Sequence, residues 1–265
     1  MLSALIFLAG GAAGGLLLGM LGVGTALVAV PLLTLVLPWL GVPAPDAPLT
    51  ALATSMAVVA ATSVSSVLSH HRLGNIDWAV FRTTILASLL GVALGSAVAT
   101  HLPGQLLRAV VGAFLLYTAW RMLRAPSATG ATLVPAEVPA RTYRLGGALI
   151  GVAGSFIGAG GGVLMVPFLS GRGHPMTRAV ATSTAIGLPV TVLGAVLYTG
   201  LGLREGVHLP GQFGYLHLPA FLEISAASVI AAPFGARLAS RVPAGLLKKG
   251  FAVVLVPLAL KIAIG

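Results

Sequence analysis

Apolar runs separated by short polar or Pro/Gly-containing breaks occupy residues 3–40, 47–69, 76–100, 104–123, 143–170, 175–202, 216–240 and 244–264. A helix needs about 20 apolar residues to cross a hydrocarbon layer, and these blocks match that length. The pattern predicts eight helical blocks. The first is too long for one helix, because its 38 residues would extend about 57 Å through a core about 30 Å thick. It is expected to break at Gly19, Gly22 and Gly24, since glycine weakens a helix and accepts turns that other residues resist. The fifth block is expected to break correspondingly at Gly158, Gly160, Gly161 and Gly162.

The two breaks belong to an internal repeat. Shifting the chain by 136 residues aligns 10–33 with 146–169 and matches Gly10, Gly11, Ala12, Gly15, Gly22, Gly24, Val30, Pro31 and Leu33 with Gly146, Gly147, Ala148, Gly151, Gly158, Gly160, Val166, Pro167 and Leu169. A shift of 128 places Ala53-Thr54-Ser55 on Ala181-Thr182-Ser183, and a shift of 140 places Gly74, Gly95 and Pro103 on Gly214, Gly235 and Pro243. The chain thus reads as an N-terminal membrane repeat, 1–123, a Pro-rich linker, 124–142, and a C-terminal membrane repeat, 143–265.

Composition sets the solvent. Of 265 residues, 57% are hydrophobic, 35 are glycine and 8% are charged, against about 25% charged in a soluble domain. With a mean hydropathy of +1.04, too little polar surface exists to coat a water-soluble particle. The net charge of +10 comes from basic residues scattered at block ends, which read as topology signals and not as a nucleic-acid surface. Absence of cysteine excludes disulfides and thiolate metal sites. The start, Met1-Leu2-Ser3-Ala4-Leu5, lacks a basic region and is expected to be a retained membrane segment.

Charge placement also orders the passes. If each glycine-broken block crosses once, basic residues divide eight against seven between the two sides. If each returns as a hairpin, twelve fall on one side and only Arg108, Arg204 and Lys261 on the other, which obeys the positive-inside rule. The expected fold is therefore all-α and polytopic: two inverted repeats, each a Gly-broken helical hairpin plus three transmembrane helices. Both termini are expected outside the cytoplasm, in the cytoplasmic (inner) membrane.

Inverted-repeat membrane proteins place substrate near the midplane, where broken helices present free backbone groups and N-terminal helix ends favour anions. Gly22, Gly24 and Thr25 in the first half, with Gly158, Gly160, Gly161 and Gly162 in the second, are the candidate donors of an oxyanion nest. The competing reading is that these glycines only allow close helix packing. Thr54, Ser55, Thr182 and Ser183 lie near the level of the tips and are candidate hydroxyl ligands, although such side chains also bond the carbonyl one turn back without functional meaning. Glu223 is the one acid well inside an apolar block and is the candidate proton carrier, or else an interfacial residue. Arg82 is expected to snorkel. The histidines show no metal spacing, so no metal and no cofactor are assigned. No catalytic signature such as His-Glu-x-x-His or Gly-x-Ser-x-Gly occurs.

Glycine-rich hairpins ending in Val-Pro, Gly22-Val23-Gly24 to Val30-Pro31 and Gly158-Ala159-Gly160-Gly161-Gly162 to Val166-Pro167, each followed by Ala-Thr-Ser, resemble the TauE/SafE sulfite exporter family, also called TSUP. The resemblance spans roughly residues 8–262. It implies a permease for sulfite, sulfoacetate or another sulfonate; the helix ends alone suggest only an anion. The first half departs from the pattern at Thr25 and Ala26, where the second has Gly161 and Gly162, so the two tips are expected to bind unequally. The expected partners are a small anionic substrate and the lipid bilayer, with a homodimer admitted and no nucleic acid. A secondary transporter working by alternating access is the leading reading. A passive anion channel, a permease for a non-sulfur organic acid and an intramembrane enzyme are the alternatives.

Overall fold

The computed structural model describes residues 2–21, 25–124, 138–207, 209–239, 256, 257 and 259–262. Within them the first long block divides into α1 (Leu2–Leu21) and α2 (Ala26–Val36), with Gly19 inside α1 and not at the break, and α2 runs into one 3-10 turn (Leu37–Leu40). Then come α3 (Ala47–Arg72), α4 (Trp78–Thr100) and α5 (Gly104–Arg124). The second half supplies α6 (Ala140–Ile157), α7 (Gly162–Ser170), α8 (Met176–Arg204) and α9 (Leu218–Ala239). Most of the 124–142 linker and most of block 244–264 lie outside the described residues, as do Gly22 and Gly24. The protein is an all-α membrane protein: Ala47–Arg72, Trp78–Thr100, Met176–Arg204 and Leu218–Gly235 are each long and apolar enough to cross a bilayer.

The halves are interleaved. Hairpin helix α1 of the first half packs along α9 of the second, while α6 of the second packs along α4 of the first, and α3 packs along α8. The repeat glycines make these contacts close. A Cβ on Gly15 would overlap the Ser228 carbonyl, and one on its repeat mate Gly151 would overlap the carbonyl of Ser88, which itself aligns with Ser228. The same reciprocity holds for Gly235 against Leu16 O and Gly95 against Val152 O. For Gly11, Gly15, Gly147 and Gly151 the close-packing reading is thus the one observed: small residues let the backbones meet, where lipid offers no hydrophobic drive to hold helices together.

α3 and α8 run antiparallel. Thr182, early in α8, accepts the amide of Asp77, five residues past the end of α3, at 2.9 Å. Thr54, early in α3, accepts the amide of His217, which follows α8 by way of a small hairpin, at 3.0 Å. That hairpin, β1 (Gln212–Phe213) against β2 (Leu216–His217), is absent from the sequence expectation. Its register pairs Gln212 with His217 and Phe213 with Leu216, and it packs where Gly202 leaves room beside Tyr215. Two-residue strands carry too few alternating positions to show a period.

Candidate functional site

The second glycine turn is made by backbone conformation. Gly158, Gly160 and Gly161 have φ of +68°, +57° and +76°, a region that side-chain-bearing residues enter only at a cost. Gly158 closes α6 by returning its amide to Gly154 O, and Gly161 opens α7, its carbonyl accepting from Leu164 and Met165. The amide of Gly162 bonds Ala159 O, while those of Gly160, Gly161 and Val163 have no backbone acceptor among the described residues. These are the unpaired first-turn donors that a helix end presents.

Side chains from both halves hold this turn. Ser55 Oγ of α3 donates to Gly158 O at 3.0 Å, and Ser183 Oγ of α8 donates to Gly162 O at 3.0 Å. Their hydroxyl protons are therefore used on the turn's carbonyls. Neither serine bonds one turn back, and all of Thr54, Ser55, Thr182 and Ser183 are buried. Thr54 and Thr182 accept the amides of His217 and Asp77, the residues that open α9 and α4. Asp77 Oδ1 accepts from Ala79 and Val80, and His217 Nδ1 accepts from Ala220, so each tethered residue also caps its helix.

Space remains next to the turn. A Cβ on Gly162 would find only Ser183 Oγ, at 3.9 Å, and one on buried Gly187 would meet nothing within 4 Å. In the first half the corresponding positions are Ala26 and Val59, which fill the space in an apolar cluster with Ile157 and Ala159. The two tips thus differ in shape, open at Gly162 and Gly187 and filled at Ala26 and Val59. Thr25 itself is buried, its carbonyl accepts from Val28 and Ala29, and its hydroxyl lies 3.5 Å from that of Thr62. Gly161→Leu, an attractive test of the tip by sequence, is a poor one: a side chain there is strained at φ +76° and runs into Ile150.

Thr62 also lines a cavity of about 370 Å³ between α1, α3, α8 and α9. Its polar wall is Thr62, Ser65, Ser66, Ser69 and His70 on α3, with Thr184 on α8 and Ser228 on α9. It opens where Ser65 and Ser69 are exposed. Ser228 is fully buried with no hydrogen-bond partner among the described residues, as is the Nδ1 atom of His70. Of the residues aligned with this wall in the other half, Val190 and Leu193 are apolar, Gly194 lies against the Met56 sulfur and Tyr198 is buried and donates to Ser155 O, while Ser88, aligned with Ser228, keeps a buried hydroxyl without a partner among the described residues. The two aligned places are therefore unequal: hydroxyls line one, and bulky side chains occupy most of the other. Sequence reading missed these residues, although Thr62, Ser65, Ser66 and Ser69 follow helical spacing within an apolar helix, a legible stripe.

Charged groups gather at the two ends of α3. At one end Asp77 lies 3.9 Å from His174, whose other ring nitrogen meets Tyr143 Oη at 2.8 Å. At the other, burial and then the Glu205 charge raise the Asp46 carboxyl above its usual range. Tyr215 donates to Glu205, and burial followed by that bond pushes its phenol up. Glu223 sits in the second turn of α9, partly exposed, with Oε2 buried and without a partner among the described residues. Among the described residues no cluster of His, Asp and Glu has metal-binding geometry.

Comparison with known proteins agrees with this architecture. The sequence matches the family Sulfite exporter TauE/SafE over residues 6–262. It is 33% identical over 253 residues to a probable membrane transporter protein of Haemophilus influenzae, covering 94% of each chain. A probable membrane transporter protein of Methanocaldococcus jannaschii is 25% identical over 229 residues, 86% of this chain and 83% of that one. One of Xylella fastidiosa is 30% identical over 198 residues, covering 72% and 70%. No solved structure matches the sequence.

Proposed function

The chain belongs to the TauE/SafE sulfite exporter family and is a multi-pass membrane transporter, and on that premise we propose that it moves a small sulfur-containing oxyanion, such as sulfite or an organosulfonate, by alternating access. One observation carries this reading: the hydroxyl-lined cavity opens at one end of α3, while at the aligned place in the other half Met56 and Tyr198 occupy the space. A transporter resting with one side open needs that asymmetry, and a continuous pore does not. Among the described residues the cavity wall holds no Lys, Arg, Asp or Glu. An anion there would be held by hydroxyl dipoles, which replace hydration without the deep trap of a full counter-charge.

In this proposal the halves are inverted repeats flanking the 124–142 linker, with both termini non-cytoplasmic in the inner membrane and the cavity facing the cytoplasm. Thr25 and the Gly160-Gly161-Gly162 turn contact the anion, together with Gly22 and Gly24, which lie outside the described residues. Ser55 and Ser183 hold the second turn in shape, and Thr54 and Thr182 hold the two entering helices. Glu223 is the candidate for proton coupling, since it is an acid within an apolar span whose Oε2 is buried with no partner among the described residues.

The test is counterflow in proteoliposomes. Vesicles loaded with unlabelled sulfite should accumulate labelled sulfite transiently, with saturation, and methanesulfonate but not acetate should compete. Linear flux without counterflow would mark a channel, and equal competition by acetate would remove the sulfur preference.

A further inference from the structure

A second polar cavity, of about 270 Å³, lies far from the first. It is lined by Thr34, Pro38, Trp39, Ala44, Arg108 and Lys261, among others. Ala44 lies just before α3 begins, whereas His70 of the hydroxyl-lined cavity lies near its end. The 26 residues of α3 separate them by about 39 Å at about 1.5 Å per residue. The two cavities therefore belong to opposite ends of the molecule.

This cavity is cationic and unbalanced. Arg108 donates from Nη2 to Ala44 O, which fixes the guanidinium at the wall, while its Nε is buried with no partner among the described residues. Among the described residues no acid lines the cavity, and neither Arg108 nor Lys261 makes an ion pair. Thr34 is buried but has committed its proton to Val30 O at 2.8 Å. A buried, anchored N–H on a charged group without an acceptor is costly unless something fills the place. Guanidinium beside ammonium is the pair that best satisfies a tetrahedral or trigonal oxyanion, the first through directed N–H groups and the second as a point charge. Of the three basic residues that charge counting puts on the basic-poor side, two meet here.

We propose that Arg108 and Lys261 form an oxyanion site at the α3 N-terminal end of the protein, taking a singly charged sulfonate-, sulfite- or phosphate-type group. That group is carried by a free solute or by a lipid headgroup; the chemistry recognised is the same. The site does not rest on the transport reading, since it concerns binding alone.

Trp39 in the cavity wall supplies the readout. The chain has three tryptophans, so Trp78→Phe with Trp120→Phe leaves Trp39 as the sole emitter. In neutral detergent, methanesulfonate or sulfite added against chloride at constant ionic strength should change Trp39 emission with saturation. Arg108→Gln with Lys261→Gln should weaken that response about tenfold or more, the worth of a charge-assisted contact. Lys261→Gln alone, at an exposed side chain with no hydrogen bond among the described residues, covers the case in which the double variant fails to fold. In nanodiscs, phosphatidylglycerol is compared with phosphatidylcholine. Response to the free anions assigns a solute site; a charge-dependent response to phosphatidylglycerol alone assigns a lipid headgroup. No saturable response to any of these probes, or one indifferent to both substitutions, overturns the proposal.

Discussion

The His217 amide donates to Thr54 Oγ1 at 3.0 Å, a bond between residues 163 apart in sequence. The bond from Asp77 to Thr182, over 105 residues, is its counterpart in the other half. Each fastens the start of one half's helix to the other half's α3 or α8. Replacing Thr54 by Val should leave a buried amide without an acceptor and cost about 1–3 kcal/mol. The melting temperature in detergent should fall accordingly, Thr54→Ser should restore most of it, and Thr182→Val should behave alike. An unchanged melt for Thr54→Val would show that the amide finds another partner.

Gly15 and Gly151 set the approach of α1 to α9 and of α6 to α4. Alanine at either should force the helix pair apart and destabilise by about 1–3 kcal/mol, as overpacking does. Gly200 in α8 is the control: a Cβ there meets nothing within 4 Å, so Gly200→Ala should be neutral or stabilising by up to about 1 kcal/mol. Thermal unfolding of the three variants checks the contrast. Equal losses at all three would mean that glycine itself, and not the close contact, matters.

Gly187 faces space beside the second turn. Gly187→Val should fold, because its Cβ is unobstructed, yet should lower sulfite counterflow at least about tenfold by occupying volume that a guest or a moving turn requires. Normal flux with a normal melt would exclude that space from the transport path.

Burial holds the His217 imidazole below its usual pKa of 6.5, and its Nδ1 must be unprotonated to accept from Ala220. The unfolded chain takes up the proton first as pH falls, so stability should be full above about 6.5 and decline below it, towards the lower folded-state value. Melting followed between pH 7.5 and 5 should show this decline. His217→Asn keeps an acceptor for the helix start and should flatten the slope; an identical slope in the variant would assign the pH dependence to other groups.

Much of this was legible in the order of residues. The bilayer environment follows from having few charges and abundant apolar positions, whatever the packing, because no arrangement of such a chain could cover itself with polar surface. The break at Gly158–Gly162, the division of the first block and the spans of α3, α4, α5, α8 and α9 were readable too, since glycine clusters and block lengths act locally. Tertiary structure alone decided that Gly11, Gly15, Gly147 and Gly151 join helices of opposite halves. It also decided that Ser55 and Ser183 grip the turn by its carbonyls, and that Thr62, Ser65 and Ser228 meet around one cavity while Arg108 and Lys261 meet around another. Periodicity says which residues share a face, but the partner of that face lies elsewhere along the chain, and only closure of the chain brings the two together.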